Sequence, residues 1–204
     1  LQSEFDEVTG RAGYNALMEI HVNFRFLALS ALAALPVLAA DPAPPTMGKI
    51  FDQQLTSVER EVVSLAEAMP AEKYAFAPKD GAFKDVRTFS QQVSHIAYVT
   101  YAVSSAALGE KNPSSTDAKE NGPTTLKTKA DVVKYLKDSF AYAHKATAML
   151  SAANSMDMVQ SAFGKNKTPR IYMVNVAIWH SFDHYGQMAV YARMNNVVPP
   201  ASRQ

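Results

Sequence analysis

Apolar side chains recur at Phe51, Leu55, Val58, Val62, Leu65 and Met69, in alternating steps of four and three. That spacing predicts a helix with one buried face. Pro70, Pro78 and Gly81 interrupt the pattern. Thr88 followed three residues later by Gln91 then reads as a capping box opening a second helix, with Phe89, Val93, Ile96 and Val103 turned inward and Gly109 as its stop. A third helix opens at Thr128 with Asp131 and carries the stripe Val133, Leu136, Phe140, Ala143, Thr147 and Leu150. Ser151 to Lys167 is a polar break with room for one short helix. Thr168-Pro169 supplies a cap and a first-turn proline for the last long helix, expected to run to about Asn195 before Pro199-Pro200 closes the domain.

Four long amphipathic segments with few strand signals predict an all-α fold, a four-helix bundle. Lys111 to Lys127 holds Pro113, Gly122, Pro123 and several Ser and Thr, so it cannot continue a helix and is long for an ordinary loop. It is expected to be a long crossover between helices 2 and 3. The bundle is placed at 47–204, behind a proline-rich linker at 41–46 (DPAPPT).

The upstream part has a different character. Phe26 to Ala40 is a 15-residue run without a charge, preceded by Arg25 and followed by Asp41-Pro42. With small residues spaced for cleavage after Ala39 or Ala40, this is the layout of a secretory signal peptide. Residues 1–40 are therefore read as an upstream segment plus signal peptide, with Met18 as the natural start, and the protein is expected to be exported to a periplasmic or extracellular space. The alternative is an uncleaved anchor, although a spanning helix needs about 20 apolar residues.

Composition narrows the chemistry. The chain has 204 residues and a formal net charge of +1 with its charges scattered, so nothing marks a nucleic-acid surface. There is no cysteine, which leaves histidine and carboxylate as the available metal ligands.

His180 and His184 stand one turn apart on the last helix, so their imidazoles share a face and can converge on one ion. Met173, Ala177, Gln187 and Tyr191 fall on the same face. His95 lies among the apolar residues of the second helix, where a lone histidine is usually a hydrogen-bonded core residue. It joins the pair only if helices 2 and 4 are neighbours. Gln187 has two readings, contact with a metal-bound water or an amide bonded to another helix. Asp183 either orients a ligand or pairs with a neighbour. His144 sits beside the stripe of helix 3 and is read as a surface or hydrogen-bonded residue, and Tyr98, Tyr101, Tyr185, Tyr191 and Trp179 as core.

The stretch His180-Ser-Phe-Asp-His184-Tyr-Gly-Gln187, continuing through Tyr191-Ala-Arg193 to Pro199-Pro200, resembles the last helix of the DinB/YfiT-like superfamily of metalloenzymes. His95 with Tyr98 resembles that family's first ligand position, and Arg60 to Ala77 its first helix and following loop. The resemblance spans about Met47 to Arg203. It implies a four-helix bundle that holds a divalent ion, often zinc or nickel, with His95, His180 and His184. Ser181 follows His180, so the glutamate base of an HExxH protease is missing.

Three neutral imidazoles leave the charge of such an ion uncompensated and other positions open. The expected function is that of a metal-dependent hydrolase or related metalloenzyme acting on a small substrate. The alternatives are a thiol-dependent S-transferase or isomerase, which the resemblance suggests and export disfavours, and a non-catalytic metal-dependent binding module. A homodimer is compatible with all three.

Overall fold

In the computed structural model, each helix begins and ends where local chemistry satisfies its free backbone groups. Helix α1 (Met47–Ala68) starts at Thr46, whose hydroxyl accepts from the Lys49 amide. Its C-terminal carbonyls, Glu67 O and Met69 O, accept from Lys129 Nζ at 2.6 and 2.8 Å, a cation placed at the negative end of a helix. Helix α2 (Phe89–Leu108) opens with the expected capping box, Thr88 and Gln91 each bonded to the other's backbone. It ends at Gly109, which takes the left-handed conformation (φ 73°) that glycine adopts without strain. Helix α3 (Lys129–Met149) repeats the box with Thr128 and Asp131, and α4 (Arg170–Met194) runs to Asn195. A 3-10 turn at Pro200–Ser202 follows. The described residues are 43–203 apart from 115, 116 and 118. The upstream segment and signal peptide expected at 1–40 lie outside them, and no helix among the described residues is long and apolar enough to cross a membrane.

The break between α3 and α4 is not a short helix. It forms two antiparallel strands, β1 (Met158–Gln160) and β2 (Lys167–Pro169), with Val159 opposite Thr168. Met158 and Gln160 point to solvent while Val159 packs against the core. This period-two pattern is too short to stand out in the sequence. Thr168 is consequently in the strand rather than at the helix cap, and Pro169 ends the strand as the N-cap residue of α4 rather than standing in its first turn. Helix α4 is capped through the backbone instead: the amides of Arg170 and Ile171 donate to Asp157 O and Ser155 O at 2.9 and 3.0 Å.

Helices α1 and α2 each pack on both α3 and α4. Tyr101 on α2 meets Tyr135 and Tyr142 on α3 with ring centroids 5.4 and 5.7 Å apart, and Tyr142 Oη donates to Glu110 just past the end of α2. Low numbers thus meet low numbers, so α2 and α3 run parallel. Parallel neighbours cannot be joined by a tight turn, and residues 110–128 travel back along the bundle as the expected crossover. Helix α4 is antiparallel to α2, with Arg170 donating to Ala107 O at one end and Gln187 meeting Gln92 at the other. The expected stripes close the core: Leu55, Val62, Leu65, Phe89, Val93, Ile96, Leu136, Phe140 and Met173 are all fully buried, and Met188 on α4 joins them. Gly48 lets the start of α1 approach the end of α3, since a Cβ there would lie 2.7 Å from the carbonyl oxygens of Thr147 and Leu150.

Trp179, expected in the core, is 48% exposed, as its position on α4 faces outward. Tyr191 is buried, and Tyr98, Tyr101 and Tyr185 are half-buried. His144 is hydrogen-bonded, as expected: its two ring nitrogens lie 2.6 and 2.9 Å from carboxylates of Asp52 and Glu59 on α1. Burial draws the pKa of His144 down, but the bonds to Glu59 and Asp52 outweigh it and the net shift is upward. The bond from His144 chiefly lowers that of Asp52.

The sign of each shift sets a pH window. A raised histidine stabilises fully below its unfolded value and loses that contribution as pH rises through the folded one, while a lowered aspartate loses its contribution as pH falls through its own folded value. His144→Ala should therefore cost the most, roughly 1–2 kcal/mol, near pH 5–6. Urea unfolding of both proteins across pH checks this, and a cost that grows toward pH 9 contradicts it.

Candidate metal centre

The α2–α4 seam brings His95, His180 and His184 together. His95 belongs to the inner face of α2 with Gln92, Ile96 and Val99, and the antiparallel α4 presents His180 and His184 one turn apart toward it. The ring centroids are 5.1 Å apart for His95 and His180, 4.8 Å for His95 and His184, and 4.5 Å for His180 and His184. One nitrogen from each ring lies within 4.8 Å of the others, and this is the only metal-ligating group of three or more among the described residues. An ion bonded to three nitrogens at about 2.1 Å sets them about 3–3.5 Å apart, so a modest turn of the rings closes the shell.

Protonation favours this role. Burial holds the pKa of His180 down to about 3, with the neighbouring His184 and His95 adding to the effect. Burial likewise lowers His184 to about 4 and depresses His95. All three are neutral at physiological pH and keep a lone pair for a metal.

Their hydrogen bonds select the tautomer for two of them. His95 Nδ1 donates to the backbone carbonyl of Glu120 in the crossover, and His184 Nδ1 lies 2.5 Å from Gln92 Oε1. Both rings then present Nε2 as the free acceptor. His180 Nδ1 is buried and has no hydrogen-bond partner. A buried, unsatisfied imidazole nitrogen is costly in a folded core, and a bound cation is the natural remedy. The donor set and this orphaned atom both fit a divalent ion.

The clasp between Arg87 and the crossover supports the cluster from outside. Arg87 Nε donates to Asn121 Oδ1 at 2.8 Å and pairs with Glu120 Oε2 at 3.0 Å, holding the residue whose carbonyl receives His95. A cleft of about 310 Å³ opens there, lined by Asp85, Val86, Arg87, Gln92, Asn121 and Gln187.

Of the two readings of Gln187, the structure shows the amide bonded to another helix: its Oε1 accepts from Gln92 Nε2 at 2.9 Å. Asp183 accepts from Gln187 Nε2 at 3.4 Å. His144 is on the α1–α3 side of the bundle and does not join the cluster. Two supporting groups were not foreseen. Gln92 stands three residues before His95, a helical spacing that could have signalled it. The Glu120 carbonyl could not be read in advance, because every residue carries one.

The fold is a four-helix bundle with an up-down-down-up course and, between its second and fourth helices, three histidines that could hold a metal ion. The chain belongs to the DinB superfamily, whose family model matches residues 54–188. Two solved structures share the fold. One is a DinB-like protein from Bacillus cereus, 15% identical with a TM-score of 0.56, the alignment covering 74% of this chain and 93% of that one. The other is a conserved protein from Enterococcus faecalis, 13% identical with a TM-score of 0.59, covering 74% and 98%. No curated protein matches the chain.

Replacing His95, His180 or His184 with alanine should each weaken divalent-ion binding by more than about 100-fold, beyond what loss of a supporting hydrogen bond costs. His144→Ala should leave it unchanged. Elemental analysis and metal titration of the four variants decide the matter, and equal metal content in wild type and His180→Ala would rule out the site.

Proposed function

We propose that the protein is a divalent-metal enzyme, a hydrolase or related metalloenzyme acting on a small substrate, with His95, His180 and His184 as ligands and zinc or nickel as the ion. The observation that carries this reading is the convergence of three neutral, desolvated imidazoles with no carboxylate in the cluster. Such a donor set offers no negative charge to offset the ion and occupies only three of its positions. When bound, the ion supplies a Lewis acid that polarises a substrate oxygen or acidifies a water.

The chain's own residues supply position and dryness. Gln92 and the Glu120 carbonyl orient two of the rings, and His95 and His184 are themselves buried, which limits the water around the cluster. The buried stripes of all four helices supply a core of ordinary size for a domain of this length, which folds without help from an ion. This favours a working ion over a structural one.

The layout of Phe26 to Ala40 supports export and removal of the leader, with a mature amino terminus near Ala40 or Asp41. Low-molecular-weight thiols are scarce outside the reducing cytosol, which favours hydrolysis over thiol transfer. Mass spectrometry of the protein from its native compartment checks the terminus, and an intact chain in the cytosol reopens the thiol-transferase reading.

Chelation should abolish turnover while circular dichroism stays helical, and one or two particular metals should restore activity. The test is a screen of esters, amides, phosphoesters and thiol conjugates with metal-replete protein. If none turns over while a small ligand still binds at the ion, the protein is a binding module instead.

A further inference from the structure

Amide side chains can point either end at a neighbour, so a hydrogen-bonded row of them has no direction of its own. A carboxylate removes that freedom because it only accepts. On α4, Asp183 Oδ2 accepts from Gln187 Nε2 at 3.4 Å, the longest and weakest link. With its amino group turned to Asp183, Gln187 offers its oxygen to α2, where it accepts from Gln92 Nε2 at 2.9 Å. Gln92 then has only its oxygen left for His184, and Oε1 lies 2.5 Å from His184 Nδ1. Each bond fixes the sense of the next.

We infer that Asp183, Gln187 and Gln92 form a directional relay that fixes His184 as its Nδ1–H tautomer and so presents Nε2 to the ion. Gln92 is the positioning residue. It is 2% exposed, so water cannot stand in readily for its oxygen. The relay treats the three histidines unequally: His95 has a backbone carbonyl in the same role, which is also acceptor-only, and His180 has no partner at Nδ1. The site thus contains two rings with a set tautomer and one, His180, whose Nδ1 no hydrogen bond assigns. The relay also lines the cleft beside Arg87, through Gln92 and Gln187, so whatever occupies that cleft can press on the orientation of a ligand ring.

This inference rests on reading the three histidines as ligands, and its test separates the two. The probes are the ¹⁵N chemical shifts of the imidazoles in the metal-free protein at pH 7.5 and zinc affinity by competition with a chromophoric chelator. Wild type should show His184 as the Nδ1–H form. Gln92→Leu should lose that preference and bind zinc about 10–100-fold more weakly, while His95 keeps its tautomer. Gln92→Glu, which retains an acceptor oxygen, should restore both. Asp183→Asn, at an exposed position with little folding risk, should shift the His184 tautomer part of the way. Gln92→Leu with a native circular dichroism spectrum, the wild-type tautomer and unchanged zinc affinity would overturn the relay. Wild-type protein that takes up neither zinc nor nickel yet shows the Nδ1–H form at His184 supports the relay and overturns the metal reading instead.

Discussion

The antiparallel contact between α2 and α4 is the constraint on which the site depends. It turns His95 toward a pair of histidines 85 and 89 positions further along the chain, within the close ring contacts that allow one ion to be shared. Nothing local to either helix demands that arrangement. It follows from where the apolar stripes put the helices, and the stripes are satisfied when α2 lies between α3 and α4 with α1 on the far side. The parallel run of α2 and α3 then requires a long return path. The same path delivers the Glu120 carbonyl to His95, so the crossover serves the site as well as the topology.

Burying three imidazoles in such a seam works against the fold unless their polar atoms are met. Desolvation is the largest cause of the depressed pKa of each ring; neighbouring rings add to it for His180 and His184, and the Arg87 cation adds to it for His95. Neutrality removes the worst of that cost, and the bonds to Glu120 and Gln92 remove more. What remains is the unpartnered Nδ1 of His180. A protein whose structural histidine is satisfied by two carboxylates, as His144 is, has solved that problem elsewhere in the same bundle. The contrast between the two arrangements separates a stability device from a site prepared for a ligand. Carboxylates beside His144 favour a proton on it, whereas the uncharged carbonyl oxygens of Glu120 and Gln92 leave His95 and His184 neutral and able to bind a metal.

Much of this was legible in the sequence, for a physical reason. Caps and stripes are local: Thr88 with Gln91, Thr128 with Asp131 and the glycine stop at Gly109 act within one turn, so their spacing declares them and the structure shows each in place. The histidine pair one turn apart on α4 is likewise local. The hairpin before α4 was not legible, because three-residue strands carry too little alternation, and the backbone carbonyls that cap α4 have no side-chain signature. Trp179 was misplaced because a large aromatic residue suggests burial, yet its angle around α4 turns it to solvent.

The sequence by itself therefore determined the four helices, their buried faces, the need for a long connection and the histidine pair one turn apart on the last helix, while His95 entered as a third ligand only through the family resemblance. It could do so because helical periodicity and capping depend on neighbours within about four positions. Only the tertiary structure decided that α2 and α4 are partners, that Gln187 bonds Gln92, that two rings have their tautomers set and that His180 is left open. Those outcomes depend on groups nearly a hundred residues apart, or on backbone atoms common to every residue, and their meeting is settled by packing alone.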